Sequence, residues 1–133
     1  MFPAVWHMDD DTTTIVLLSS NDGKVWHRVP GGPVLQTAAF EQWDGGCVFA
    51  HPNLVELPDG SFALPYTGYL FPHKYARGAW EYHGGYAVWP KGRIVALEAA
   101  ERGEFAMVAI MPPGRKLRTN AITKRAGEIR VQV

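Results

Sequence analysis

Fourteen residues that can carry or support chemistry crowd into positions 43–83: Trp43, Asp44, His51, Asn53, Tyr66, Tyr69, His73, Lys74, Tyr75, Arg77, Trp80, Glu81, Tyr82 and His83. Sugar chemistry uses this mix. Carboxylates move protons at the glycosidic oxygen, aromatic faces stack on the pyranose ring, and polar side chains read its hydroxyls. Asp44 follows Trp43 and precedes Gly45-Gly46, a flexible context in which a carboxylate can face a cleft. Glu81 stands between Trp80 and Tyr82, where partial burial favours the protonated form that a general acid needs. Asp44 and Glu81 are therefore the candidate catalytic pair. Trp43, His51, Tyr66, Tyr69, His73, Arg77, Trp80 and His83 are the candidate substrate-binding residues. The same two acids also fit plain structural roles, Asp44 capping the Gly45-Gly46 turn and Glu81 as a solvated loop residue.

The other reactive side chains point to less. Five histidines, His7, His27, His51, His73 and His83, lack the His-x-His or His-x-x-x-His spacing that sets two imidazoles on one face. Any metal site would need His51, His73 and His83 to converge in space with Asp44 or Glu81, and no metal or other cofactor is expected. Asp9-Asp10-Asp11 lacks the alternate spacing with which a loop wraps calcium, and reads as a solvated turn. Cys47 is the sole cysteine, which excludes an intrachain disulfide and a cysteine-based zinc cluster; an inert, buried thiol is expected. Arg115, Lys116, Arg118, Lys124, Arg125 and Arg130 alternate with strand-type residues rather than aromatics, as on a solvated sheet face.

The elements that must position these groups read as β throughout. Gly (14) and Pro (10) make up about 18% of the 133 residues, against a usual level of roughly 12%, and recur every eight to twelve positions. Between them lie β-branched and aromatic runs at 12–18, 53–57, 62–69, 85–89, 94–98, 105–110, 117–122 and 128–133. The turns Asn21-Asp22-Gly23, Pro58-Asp59-Gly60, Pro90-Lys91-Gly92 and Pro113-Gly114 each set glycine where a positive φ is required, so each predicts a hairpin. Residues 95–104 are rich in alanine but lack an N-cap, and read as strand. The net charge of zero gives no reason to expect a nucleic-acid or membrane partner. A 47% hydrophobic chain without a 20-residue apolar run or a basic-then-apolar leader is expected to be soluble and unexported.

Residues 19–26, Ser-Ser-Asn-Asp-Gly-Lys-Val-Trp, resemble the Asp box, Ser-x-Asp-x-Gly-x-x-Trp, with Asn21 in the Asp position. Such a box staples a hairpin: a side-chain acceptor ties the turn, glycine takes the left-handed corner, and the aromatic covers it. It recurs in the blades of sialidase-like propellers. Trp43-Asp44-Gly45-Gly46 and the run from His51 to Gly68 resemble the blade signature of five- and six-bladed glycoside hydrolase propellers. Residues 85–133 resemble the passage from a last blade into a C-terminal β-sandwich, carried by 93–99, 103–105, 114–117, Asn120 and 126–131.

The resemblance implies propeller-blade hairpins over 1–84 and β-sandwich-like strands over 85–133, which together can form one compact domain. It holds sequence for about two blades of a ring that needs five or six, so it implies a fragment with open strand edges. A homo-oligomer joined by strand pairing, or closure as a small barrel, would cover them. The function implied is hydrolysis of glycosidic bonds, with carbohydrate as partner, and Asp44 and Glu81 are the candidates for it read from the residues themselves. The alternatives are a non-catalytic carbohydrate-binding or truncated structural module, and a small His-ligated, metal-dependent β-barrel enzyme.

Overall fold

The computed structural model describes residues 1–75, 81–107 and 114–132. The protein is all-β and antiparallel, with no helix among the described residues. No described helix is therefore long and apolar enough to cross a membrane. Among the described residues of the unit Met1–Ala96 there are nine strands: β1 (Ala4–Trp6), β2 (Thr13–Ile15), β3 (Leu18–Ser19), β4 (His27–Arg28), β5 (Leu35–Gln36), β6 (Cys47–Ala50), β7 (Val55–Glu56), β8 (Phe62–Tyr69) and β9 (Tyr82–Trp89). They form three open sheets, β1-β2-β5, β3-β4, and β6-β8-β7 with β9 on the far side of β8.

Turn chemistry places these strands. Gly23 (φ 71°) and Gly60 (φ 81°) take the left-handed corners of the β3–β4 and β7–β8 hairpins. Asp59 Oδ1 accepts the Ser61 N–H (2.9 Å) and hydroxyl (2.6 Å), closing the second turn. In the first turn the tie is Asp22, rather than the Asn21 that the box alignment puts there. Its Oδ1 accepts the N–H groups of Lys24 (2.8 Å) and Val25 (2.9 Å), while Ser20 Oγ accepts that of Gly23 (2.8 Å). Those bonds, first of all the Val25 and Lys24 amides, hold the Asp22 carboxyl below its ordinary range. Trp26 donates its indole N–H to Gly23 O (3.2 Å) and so covers the bend, as the box requires.

Strand alternation sorts the side chains of the main sheet. Val48, Leu64 and Tyr66 share one face with Ala87 and Trp89 across the ladder, and pack with Ile15 of β2 into the core. Full burial of an aliphatic side chain such as Ile15, Val48 or Leu64 stabilises by roughly 1.5–3 kcal/mol. The outer edge of β6 is closed by a side chain. Thr13 Oγ1 accepts the Val48 N–H (2.7 Å) and donates to the Val48 carbonyl (2.6 Å), satisfying both edge groups.

The segment predicted as one strand at 12–18 is two, β2 and β3, and only Val55–Glu56 of 53–57 pairs. Residues 85–89 lengthen into β9, which pairs with β8 and so belongs to the first unit. The second unit, Leu97–Val133, has no strand among its described residues. The strands expected at 94–98 and 117–122 are not formed, nor are the described parts of 105–110 and 128–133. Alternation supplies side chains for a face, but a strand also needs a ladder with a neighbour's N–H and C=O groups, and no such ladder forms among the described residues of these segments. Gly92 (φ 71°) makes its turn, with Arg93 N–H on Pro90 O (3.0 Å), yet no paired strand follows it. Pro113 lies outside the described residues.

Candidate functional site

The loop from β5 to β6 carries Trp43 and Asp44 onto the sheet. It is tied by Gln42 N–H on Ala39 O (3.1 Å), Gly45 N–H on Gln42 O (2.9 Å) and Ala38 N–H on Asp44 O (3.3 Å). Two tight approaches fix its end: a Cβ on Gly45 would come within 2.3 Å of Ala39 O, and one on Gly46 within 2.1 Å of the Phe71 carbonyl carbon. Glu41 holds the left-handed conformation (φ 72°), a strained choice for a residue with a side chain.

Trp43 lands on a glycine floor. A Cβ on Gly68 would stand 2.6 Å from Trp43 Cζ3, and one on Gly85 2.7 Å from Trp43 Cη2, so the indole lies where neither strand has a side chain. One side of the indole stacks on Tyr66 (centroids 5.5 Å, planes 24° apart), and His83 meets it edge-on at 6.1 Å. Trp43 still exposes 37% of its surface. Asp44 is 8% exposed, and its Oδ2 accepts the Tyr66 hydroxyl at 2.8 Å. Burial first, and then Asp44, push the Tyr66 phenol well above its ordinary pKa, so it is a neutral donor. Glu81 continues the β8–β9 ladder, its carbonyl accepting Leu70 N–H at 3.1 Å, and its carboxylate lies 3.8 Å from His83 Nε2 at the exposed rim.

Strand parity divides the sequence-derived candidates. Trp43, Asp44, Tyr66, His83 and Glu81 belong to one face, because Gly68 pairs with His83 and Tyr66 with Gly85. Tyr69 and His73 belong to the other. Tyr69 pairs with Tyr82 and meets Phe49 (6.0 Å), while His73 meets Phe49 (5.2 Å) and Trp6 (6.3 Å). His51 follows β6 at the exposed surface, its backbone N–H on Pro65 O (2.9 Å). Arg77 and Trp80 lie outside the described residues. Among the described residues no three His, Cys, Asp or Glu side chains stand close enough to hold a metal.

Gly68 and Gly85 are the functional positions that reading the sequence for reactive side chains overlooks. Glycine in a strand interior signals close approach by another group. The second face also carries a cluster that the sequence did not single out. Lys74 Nζ stands 4.1 Å above the Trp6 ring, whose indole N–H is held by Asp11 Oδ1 (3.0 Å), with Asp11 itself left-handed (φ 57°). Cys47 is buried, its thiol facing Phe71 O (3.7 Å) and pushed up to about 11 by burial, which leaves it unreactive. Compared with family models, with curated proteins and with solved structures, the chain has no match.

Proposed function

We propose that the chain is a carbohydrate-recognising β module, with Trp43 as the ring on which a pyranose stacks and His83 and Glu81 as the groups that read its hydroxyls. One observation carries this: an indole laid over the side-chain-free backbone of Gly68 and Gly85, backed by Tyr66, with more than a third of its surface exposed beside a carboxylate and an imidazole. The arrangement is preorganised, because the Tyr66–Asp44 bond and the tied loop hold the indole before any sugar arrives. Asp44 acts as a positioning residue, its carboxylate turned inward to Tyr66. The likeness of residues 19–26 and 43–68 to sialidase-like and five-bladed glycoside hydrolase propellers supports the same partner class.

Glycoside hydrolysis by Asp44 and Glu81 is the second reading, favoured by both carboxylates belonging to one sheet face. Titration calorimetry with methyl pyranosides, run beside a turnover assay on aryl glycosides, separates the two. Binding with a Kd on the order of 1 mM and no turnover supports the module. Turnover lost in Glu81→Gln moves the function to hydrolysis, and heat from neither sugar class ends both readings.

A further inference from the structure

Each of the two units carries one half of a strand pairing. β9 pairs along its whole length with β8, and the bond from Leu70 N–H to Glu81 O fixes which of its backbone groups face inward. Antiparallel ladders alternate, so the N–H and C=O groups of Tyr82, Gly84, Tyr86 and Val88 face outward. No backbone group among the described residues of 1–96 bonds to them. β9 has none of the features that usually blunt an edge: no Lys, no Pro and no bulge interrupts its eight residues.

The donor half is residues 128–132, Glu-Ile-Arg-Val-Gln. Arg130 grips Glu128 through Nε on Oε1 and Nη2 on Oε2, both at 3.0 Å. Side chains two apart meet in this way when the backbone is extended and both leave it on the same side. Ile129 and Val131, on the other side, are 51% and 56% exposed. The segment has the shape and alternation of a strand without being one.

We propose that residues 128–132 of one copy add to the outer edge of β9 in a second copy, and reciprocally, giving a closed dimer. Charge selects this pairing. Residues 1–96 hold nine Asp and Glu against six Lys and Arg, whereas 97–133 hold seven Lys and Arg against four Glu. β9 holds no Asp, Glu, Lys or Arg and Glu128 and Arg130 cancel in the donor, so the selection acts through the net charge of the units that carry them: donor on acceptor brings opposite net charges together, while donor on donor or acceptor on acceptor brings like ones. Each copy supplies one donor and one acceptor, so two copies satisfy both edges and the assembly stops there.

Light scattering on the full chain tests the proposal, and the expected mass is twice 14.8 kDa. Val88→Pro removes an outward N–H without touching the β8 ladder, and Val131→Pro breaks the donor at a site outside every strand. Each variant should weaken the dimer at least about tenfold while leaving the circular dichroism of the monomer unchanged. An equimolar mixture of the two should regain dimer, because one intact donor meets one intact edge. A monomer up to about 100 μM, a dimer that survives both variants, or a mixture that stays monomeric would overturn the proposal.

Discussion

Replacing Tyr66 by Phe removes one oxygen and leaves the ring that supports Trp43. The lost bond is a phenol O–H on a carboxylate at 2.8 Å, with Asp44 8% exposed, so water replaces it poorly. Hydrogen bonds to charged groups contribute about 1.5–3 kcal/mol, and the orphaned Asp44 oxygen keeps the loss within that range. With a urea slope of about 1.5 kcal/mol per M, the midpoint should fall by about 1–2 M, read by tryptophan fluorescence. Asp44→Asn keeps an acceptor for the hydroxyl and should lose about 1 kcal/mol or less. Alkaline pH gives an independent reading. The phenol is raised in the folded state, so its contribution is intact below the unfolded value near 10 and is lost as pH rises above it, at up to about 1.4 kcal/mol per pH unit. Tyr66→Phe should lack that part of the alkaline loss. A midpoint shift under about 0.3 M, with wild-type alkaline behaviour, would refute the inward lock of Asp44.

Gly85→Ala sets a methyl 2.7 Å from Trp43 Cη2 and should destabilise by about 1–3 kcal/mol, with a red-shifted tryptophan emission as the indole is lifted; an unchanged spectrum would mean that the indole does not rest there. Glu41→Gly relieves a left-handed side-chain residue and, after the entropy lost by glycine, should stabilise by about 0.5 kcal/mol in the same urea assay. A loss of stability would show that the Glu41 side chain is used. The Cys47 thiol should react with a disulfide reagent at neutral pH only as fast as the protein unfolds, and fast labelling of folded protein would contradict its burial.

Much of the fold is legible in the sequence because turns are local. Asn21-Asp22-Gly23 and Pro58-Asp59-Gly60 encode their φ angles in adjacent residues, and both hairpins form. Asp22 in place of Asn21 as the tie was not legible, since both are small acceptors one residue apart and only the bonds distinguish them. The strands expected after residue 93 are not formed among the described residues for the opposite reason, because pairing partners are non-local. The site follows the same division. Trp43 and Asp44 stand out by type, but the opposition of Tyr66 to Tyr69 depends on register, where one residue of offset changes the face.

Saturation-transfer NMR on methyl β-galactopyranoside and methyl β-glucopyranoside addresses the Trp43 surface most directly. Magnetisation from the protein should reach the protons on one face of at least one of the two pyranose rings, and the transfer should vanish in Trp43→Ala while the rest of the fold keeps its circular dichroism. Transfer undiminished by Trp43→Ala, or none from the wild-type protein to either sugar, would contradict the assignment.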